Sequence, residues 1–516
     1  MSDFKEPIVQ QTHSNHDMGR SGGYGTGSEK SSQKLDRYLS LKPAVAFAMT
    51  VLSSWTGISL TMSAAFLNGG PTTLVWGTLL AGVGSLAIAA SLGELASIPS
   101  TPVVGAQYRW TGLYAPRAMS PAFWSLLQGW LTVFSWICLC AAVPFISALC
   151  LQGLIILNDE TYVPQRWQAT LLMWAFLALP VLGNVYGRKL LKAVEIMGGV
   201  LHIVFFVVTI TTLAVMARRS TAKFVFTESF FGQSGWESEG VQWSLGLLSI
   251  TSVLTGFDGV LHLSDEISDA PRKVPIAMML AVVFNTILAL AFLITVLFCI
   301  GDVEAAVGTT TGFPIIQILY QATESKAAAT VIVCMILFST MIALFGVFAS
   351  VSRLTWAFAR DNGLPYSEFF SRVHPTLHIP LNALGLVTLI AALLGLINIG
   401  NTTAFNAILS LATMGLYLSY VMPLAFVLIR KLQGRHPNYG PFRLGIWSIP
   451  VNIVGLVFGI YMVIFLPFPS VLPVTGATMN YAAPILGFIM LVALGDWFVS
   501  GRKRFEVPTH APEHYE

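Results

Sequence analysis

The stretch TGFDGVLHLSDE, residues 255–266, places Asp258 between Gly256 and Gly259 at the end of a long apolar segment. An aspartate at bilayer depth costs about 2.5–3.5 kcal/mol on insertion scales, so a chain keeps one there beside a partner, a water-filled cavity or a ligand. Glycine lowers helix stability by about 1 kcal/mol at each position. The stretch therefore predicts a broken membrane helix, with unpaired carbonyls from its first half and unpaired amides from its second.

Composition places the whole chain in a membrane. Of its 516 residues, 55% are hydrophobic and only 10% are charged, and the mean hydropathy is +0.71. Soluble globular chains carry about 25% charged residues, which excludes a soluble enzyme. No basic stripe accompanies the net charge of +3, and this argues against nucleic acid as a partner.

Twelve apolar segments are long enough to cross a lipid bilayer, which needs roughly 20 residues per helix. We place them at 44–67, 72–93, 121–151, 168–186, 191–217, 243–264, 275–300, 326–358, 380–400, 403–429, 446–468 and 480–500. Residues 1–42 are polar and lack the apolar core of a signal peptide, so we expect a disordered cytoplasmic tail there. Residues 501–516 are expected to form a second cytoplasmic tail.

The basic residues orient these spans. With the N-terminus inside, all but five of the 28 Lys and Arg residues fall on one side of the membrane. The exceptions are Arg166, Arg218, Arg219, Lys223 and Lys326. Because short cytoplasmic loops carry an excess of Lys and Arg, both termini are expected in the cytoplasm.

The first span has a comparable weak point in LSSWTGISLTMS, residues 52–63, where Gly57 lies among hydroxyl residues. Interrupted helices at the first and sixth positions indicate a transporter built from inverted repeats, with its site at the midplane. Close helix packing is the alternative use of such small residues. We predict an all-α membrane protein with five-plus-five inverted repeats in 43–217 and 243–429, followed by two further helices in 446–500.

The two breaks would give the site electrostatic polarity. The second half of helix one would begin near Ile58 and Ser59, and its amides would attract a carboxylate. The first half of helix six would end near Thr255, and its carbonyls, together with Asp258, would attract a cation. A zwitterion or an organic cation therefore fits the site, and a pure anion does not. The candidate substrate-binding residues are Trp55, Thr56, Gly57, Ile58, Ser59, Thr255, Gly256, Phe257, Asp258 and Gly259.

Several of these residues have ordinary packing as an alternative role. Trp55 and Phe257 could close over a ligand or stack on an ammonium group, or could simply fill the helix bundle. The candidates for carrying a coupling proton are Asp258, His262 four residues later on the same helical face, and Glu195 in the fifth span. His202, also in the fifth span, could line the same path as Glu195 or face the bundle.

Other chemistry is absent from the sequence. There is no G-x-x-x-x-G-K-[ST] for ATP, no H-E-x-x-H and no G-x-S-x-G, so no catalytic site, metal or cofactor is predicted. The five cysteines lack metal-ligand or disulfide spacing and are expected to be buried small hydrophobic residues.

Four motifs carry a resemblance to a known family. GFDGVLHLSDEISDAPRKVP (256–275) resembles the sixth-helix signature of the amino acid–polyamine–organocation superfamily, especially its fungal amino acid/choline transporter branch. FLNGGP (66–71) and SLGELASIPSTPVVGAQYRW (91–110) are similar to the branch's link from helix one to helix three. SRLTWAFARDNGLPYSEFF (352–370) is similar to its cytoplasmic segment after helix eight. The resemblance covers residues 40 to 500.

This resemblance implies the five-plus-five fold and a substrate site at the breaks of helices one and six, with Asp258 at an acidic position found across the superfamily. The sequence departs from the branch at Trp55-Thr56-Gly57, where many members have an acid after the tryptophan, so amine recognition would depend more on helix six. Ala106 stands where a second glycine is usual.

The expected function is secondary transport, at the plasma membrane, of an amino acid or a related small amine such as a GABA-like compound or a polyamine, coupled to protons. A choline or quaternary ammonium permease is the alternative, and a non-transporting nutrient receptor of the same fold is a further one. The expected partners are the substrate, the coupling proton and the lipid bilayer. Arg353, Arg360 and Asp361 are assigned to an inner gate or to loop docking.

Overall fold

A computed structural model describes residues 39–98, 103–186, 188–476 and 478–507, with the side chains of 117, 188–192 and 402–406 excepted. The described chain contains twelve helices long and apolar enough to cross a membrane, each overlapping one of the twelve predicted segments. They are Leu41–Thr61, Gly70–Ala96, Pro121–Asn158, Arg166–Tyr186, Ala193–Met216, Glu239–Glu266, Ala270–Phe298, Lys326–Arg360, Leu381–Gly400, Ala407–Leu432, Gly445–Phe465 and Ala482–Arg504. Numbered in this order, they are spans 1 to 12.

Only spans 1 and 6 are interrupted near the middle of the bundle, within the part of the chain that the structure describes. Span 1 consists of Leu41–Leu52 and Ser54–Thr61, and span 6 of Glu239–Thr251, Ser252–Leu254 and Phe257–Glu266. Shorter helices occupy the connections, at Ser63–Leu67, Ala106–Tyr114, Arg117–Met119, Ala222–Thr227, Val303–Val307, Pro314–Thr323 and Ser367–Phe370. The helix Ala106–Tyr114, between spans 2 and 3, is called the linker helix below.

Burial differs strongly between spans. In its most apolar window span 6 is 89% buried, whereas span 12 is only 17% buried. The exposed side chains of the outer spans are large and apolar, for example Val215, Phe488 and Val499, as expected for helices that face lipid. The buried polar groups of span 6 must therefore find their partners inside the protein.

The two ends of the bundle differ, and each is named here by its residues. The gate end contains Leu41, Glu266 and Arg360, and the cavity end contains Thr61 and Glu239. Span 1 runs from the gate end to the cavity end, and span 6 runs in the opposite direction.

Three boundary and burial expectations are wrong. Leu39 is buried and forms a parallel backbone bridge with Ile267, so residues 39–42 belong to the membrane domain. At the other terminus, Arg502–Arg504 is helical and Phe505 is buried, so the folded part extends beyond residue 500. The other residues of the predicted tails, 1–38 and 508–516, lie outside the described chain. Four cysteines are buried as expected, but Cys334 is exposed on the surface of span 8.

Candidate functional site

The break in span 6 is at Thr255–Gly256, as predicted. Gly256 has φ +100°, in the left-handed region that favours glycine, and a new 3₁₀ helix starts at Phe257. A second constraint acts on the two glycines, because a Cβ on Gly256 or on Gly259 would lie 3.3 Å from the indole of Trp136. Glycine therefore provides both the backbone turn and the room for a tryptophan beside Asp258.

The break in span 1 is at Ser53, not at Gly57. Ser53 adopts φ +38°, and the helix resumes at Ser54. The backbone amide of Ser54 donates to the side-chain oxygen of Asn285 in span 7 at 2.9 Å. Ile58 and Ser59 lie inside the second helical segment, so their amides are not the free helix start that the sequence predicted.

Gly57 has a different role from the predicted one. A Cβ at this position would lie 2.7 Å from Cγ1 of Val253, so the glycine allows spans 1 and 6 to approach closely. Next to this contact, the hydroxyl of Ser54 donates to the carbonyl of Val253 at 2.8 Å. The two broken helices are thus joined at their breaks, and one of the carbonyls freed in span 6 is already paired.

Asp258 is completely buried and receives hydrogen bonds from three elements. The amide of Gln107 in the linker helix donates to Oδ2 at 2.5 Å, and the indole of Trp136 in span 3 donates to the same oxygen at 3.2 Å. The hydroxyl of Tyr420 in span 10 donates to Oδ1 at 2.5 Å. His262 Nε2 lies 3.4 Å from Oδ2. No Lys or Arg pairs with this carboxylate in the described structure.

Aromatic rings surround Asp258. The ring of Phe257 lies 5.1 Å from that of Tyr420, which in turn lies 6.1 Å from Tyr417. Trp136 completes the group from span 3, with its ring 5.9 Å from His262. A buried carboxylate with several aromatic rings nearby is chemistry suited to an organic ammonium group.

Trp55 does not join this aromatic group. It is completely buried and packs against His202, Phe206 and Phe292, at ring distances of 5.4, 5.9 and 5.6 Å. Its contacts are therefore with spans 5 and 7, which is the packing alternative rather than a place over a ligand at Asp258.

The hydroxyl groups of the two breaks are largely satisfied by nearby backbone. Thr56 donates to the carbonyl of Ser53 at 2.8 Å, Ser59 to that of Trp55 at 2.6 Å, and Thr255 to that of Thr251 at 2.5 Å. Such local bonds stabilise the broken segments and leave fewer hydroxyl protons for a ligand.

A cavity of about 640 Å³ occupies the cavity end. Its wall includes Thr61 from span 1 and Ser249 and Ser252 from span 6, and it contains the exposed residues Pro164 and Gly312, so it opens at this end. The ten predicted binding residues are absent from this wall as the described residues form it. Ser252 is the span 6 residue of this wall nearest to Asp258 in sequence, six positions before it.

The gate end is closed by charged pairs. Asp361, which follows span 8, accepts hydrogen bonds from Arg109 Nε and Tyr108, both at 2.7 Å, and lies 2.5 Å from Arg109 Nη2. Burial and the Asp361 carboxylate both raise the pKa of Tyr108. Burial by itself would lower the pKa of Arg109, but Asp361 raises it above the ordinary arginine value. Tyr108 and Arg109 therefore keep their hydrogen-bonding protons at neutral pH.

The other two predicted gate residues also lie at this end. Arg353 Nε is 2.9 Å from a Glu266 carboxylate oxygen, and both side chains are buried. Arg360 lies over the ring of Trp356, with its guanidinium 3.7 Å from Asp265 and 3.8 Å from Asp361. The structure thus connects spans 6 and 8 through both arginines.

A second buried acid lies beside span 1, away from Asp258. The hydroxyl of Thr50 donates to Glu195 Oε2 at 2.7 Å, and Glu195 is 1% exposed. His202 Nδ1 lies 3.1 Å from the hydroxyl of Ser339 in span 8. The described structure shows no bond between Glu195 and either Asp258 or His262, so the three predicted proton carriers form two separate groups.

Five contacting residues were missed by the sequence reasoning. Gln107, Tyr108, Trp136 and Tyr420 are uncharged residues among many aromatic and apolar ones, and Arg109 counted only toward the excess of Lys and Arg on one side of the membrane. One signal was available, since residues 107–109 fall within a motif already singled out, VVGAQYRW. Their distance in sequence from Asp258 and Asp361 concealed the contacts.

Comparison with known proteins agrees with this architecture. Residues 39–491 match the family described as amino acid permease. The chain belongs to the amino acid permease family. The permease is 32% identical to a choline transporter of Saccharomyces cerevisiae, across 92% of this chain and 82% of the relative. It is 28% identical to the amino-acid permease BAT1 homolog of rice, Oryza sativa, across 92% and 93% of the two chains. It is also 27% identical to amino-acid permease 2 of Neurospora crassa, across 90% and 85%.

The family assignment confirms the fold class and the broad function. The permease is an all-α multi-pass membrane protein of the amino acid–polyamine–organocation superfamily, with the five-plus-five architecture and two further helices. It is a transporter of amino acids or related amines and not an enzyme.

Proposed function

We propose that this permease imports a small amine whose cationic group binds at Asp258, and that protons drive the uptake. The observation that supports this proposal is a fully buried carboxylate with no Lys or Arg partner in the described structure, at the point where two broken helices meet. Burying such a charge is costly, so its negative charge is available for a mobile cation.

The cavity supports the route. Substrate would enter at the cavity end, pass Thr61 and Ser252, and displace part of the donor shell around Asp258. The contacts of Asp361 with Tyr108 and Arg109 would meanwhile keep the gate end closed. We place the cavity end outside the cell and the gate end in the cytoplasm, on the distribution of Lys and Arg, and we place the protein in the plasma membrane.

We assign the roles as follows. Asp258 binds the ammonium group, Glu195 carries the coupling proton, and His262 tunes Asp258 through its contact at 3.4 Å. We also propose that residues 43–217 and 243–429 are the two inverted repeats. The broken helix is the first span of each repeat.

A quaternary ammonium substrate such as choline is the second candidate. Two observations favour it: the aromatic group of Trp136, Phe257 and Tyr420 around Asp258, and the absence of a free helix start at Ile58 and Ser59 for a carboxylate. The choline transporter among the relatives is consistent with this candidate.

The test is a radiolabelled uptake panel in a transport-deficient cell, with choline, 4-aminobutyrate, putrescine and neutral amino acids, each repeated with a protonophore. Asp258→Asn should reduce uptake of the cationic substrate by roughly 30-fold or more, because losing one partner of a buried, hydrogen-bonded charge pair costs about 2–5 kcal/mol. Glu239→Gln, an exposed acid at the start of the same span, is the matched control and should transport normally.

Three results would contradict parts of the proposal. Uptake at the wild-type level by a surface-expressed Asp258→Asn variant would remove Asp258 from the substrate site. Uptake that is unchanged by the protonophore would exclude proton coupling. Preference for a carboxylated amine over its decarboxylated analogue would mean that another position in the breaks of spans 1 and 6 binds the substrate carboxylate.

A further inference from the structure

Three consecutive residues of the linker helix contact both the candidate substrate site and the closed gate. Gln107 donates to Asp258, while the next two residues, Tyr108 and Arg109, donate to Asp361. The acceptors belong to different elements, span 6 and the segment after span 8. A short helix therefore connects the carboxylate proposed to bind substrate with the carboxylate that closes the gate end.

We propose that the linker helix couples occupation of Asp258 to opening of the gate. In this inference, which rests on the proposed binding of a cationic amine at Asp258, the arriving ammonium takes over the Gln107 contact. The released linker helix then withdraws Tyr108 and Arg109 from Asp361. Gln107 is a positioning residue in this scheme, because it responds to occupation of Asp258 and does not itself bind the substrate.

The donor shell of Asp258 identifies Gln107 as the group that leaves. Oδ2 accepts from Gln107 and Trp136 and also faces His262, whereas Oδ1 accepts from Tyr420 alone. An ammonium group carries a full positive charge, so a carboxylate attracts it more strongly than a neutral amide and it can displace a neutral donor from the crowded oxygen.

The other donors are held in place by the surrounding structure. The indole of Trp136 packs against Gly256 and Gly259, and the hydroxyl of Tyr420 also accepts the backbone amide of Gly256 at 3.3 Å. Gln107 has a second reason to move: its carbonyl oxygen is buried without a hydrogen-bond partner in the described structure. In the closed arrangement the side-chain amide of Gln107 thus uses its N–H donor but leaves its carbonyl oxygen without a hydrogen bond.

In this scheme the linker helix moves as one body. It has nine residues, and it starts after Gly105, whose φ of +77° turns the chain abruptly into the helix. Because residues 107–109 share one rigid helical turn, a shift at Gln107 also shifts Tyr108 and Arg109. The ring of Tyr108 packs on Phe358 of span 8 at 5.1 Å, next to the Asp361 contact, so this shift would loosen the gate-end packing.

The test measures access to a buried cysteine at the gate end. Ser264 is 1% exposed on the gate-end half of span 6. A Ser264→Cys reporter is placed in a Cys334→Ser background, in lipid nanodiscs, and its rate of reaction with a charged methanethiosulfonate reagent is measured. The same protein without the reporter gives the background rate. The probe is whichever of choline, 4-aminobutyrate and putrescine the wild-type protein transports.

Gln107→Met removes the amide at nearly constant volume. We expect the rate of labelling at Ser264→Cys without probe to rise about tenfold, because a hydrogen bond to a charged group is lost. Adding the probe should cause no further increase. Probe binding, measured by thermal shift, should persist. Gln107→Asn, which keeps an amide too short for Asp258, is the second variant. Gln242→Met, which replaces another buried glutamine at the cavity end, is the control and should label like the wild type.

A double-mutant cycle tests the connection itself. Tyr108→Phe removes the hydroxyl donated to Asp361 and should also raise labelling without probe, and the double variant should label no faster than the faster single variant. The inference is overturned if Gln107→Met and Gln107→Asn label as slowly as the wild type, or if the two substitutions multiply independently. These results are distinct from failure of the proposed function, which would appear as normal uptake by Asp258→Asn.

Discussion

Four fully buried carboxylates in the described chain divide into two pairs. Glu94 lies 2.7 Å from Lys431 Nζ, and Glu266 lies 2.9 Å from Arg353 Nε. Glu195 and Asp258 are equally buried but are solvated by neutral donors: a threonine hydroxyl at Glu195, and an amide, an indole and a phenol at Asp258, with His262 nearby. All four acids lie on membrane spans, so depth alone does not separate them.

The difference lies in whether the compensating cation is built into the fold. A carboxylate paired with Lys or Arg is neutralised permanently, and its contact joins two elements: span 2 to span 10 for Glu94, and span 6 to span 8 for Glu266. A carboxylate held by neutral donors has no counter-ion built into the fold and can take up a proton or a substrate cation. This comparison separates structural acids from candidate transport acids.

The largest effect is expected at a permanent pair. Arg353→Met should leave Glu266 buried and unpaired and destabilise the folded protein by about 3–5 kcal/mol, seen as loss of the monodisperse peak in detergent and a lower melting temperature. The double variant Glu266→Gln/Arg353→Met removes both charges and should recover much of the folded protein. If the single variant is as stable as the wild type, the permanent pairs are not structural.

Substitution of Glu195 should impair coupling while leaving the fold intact. Glu195→Gln mimics the protonated acid, so proton-driven accumulation should disappear, whereas exchange of internal for external substrate should continue. The driving force lost with one coupled proton is about 1.4 kcal/mol per pH unit of gradient, which corresponds to a tenfold change in substrate accumulation. The measurement compares uptake under an imposed pH gradient with counterflow in liposomes. Normal accumulation by this variant would show that the proton uses another residue.

A single neutral donor to Asp258 should matter less. Tyr420→Phe removes the hydroxyl that donates to Oδ1 and keeps the ring beside Phe257, so we expect a severalfold change in the KM for uptake, corresponding to about 1 kcal/mol. Tyr461→Phe, at the cavity end, is the control, because its hydroxyl contacts Ser244 and not the site. A loss of uptake as large as that of Asp258→Asn would mean that Tyr420 itself supports an essential step.

The smallest effect is expected from alkaline pH at the gate. Burial and Asp361 raise the pKa of Tyr108, and Asp361 raises that of Arg109, so both groups stay protonated below their ordinary pKa values of 10 and 12.5. Each protonated group keeps its contribution to gate closure until the pH rises through its raised pKa. The rate of labelling at Ser264→Cys, corrected for thiolate content, should therefore be the same at pH 7 and pH 9. A sharp rise over this interval would show that another titrating group closes the gate.

The broken sixth helix shows how far local sequence reaches. Two glycines around an aspartate in an apolar run specify the break, because glycine alone enters the left-handed region without strain and the charge needs a polar site. The first helix shows the limit. Ser53 breaks it in a conformation unfavourable for serine, and a side chain from span 7, Asn285, binds the amide that begins the second half. Local propensity favoured Gly57, but tertiary contacts decided on Ser53.

The surroundings of each acid also depended on the tertiary structure. Asp258 and Glu195 could be singled out from their depth in apolar spans, but their donors could not, since Gln107 and Tyr420 are 151 and 162 positions away from Asp258. The same applies to the gate, where Asp361 was named but its partner Arg109, 252 positions away, was not.

The sequence by itself determined twelve apolar spans, the break at Gly256 and the presence of uncompensated charge within the membrane, because hydropathy, glycine conformation and the cost of burying an ion act over a few neighbouring residues. Only the tertiary structure decided which buried acids have a built-in cation, and that one short helix lies between the candidate site and the gate. These features depend on which distant side chains the packed helices bring within hydrogen-bonding distance.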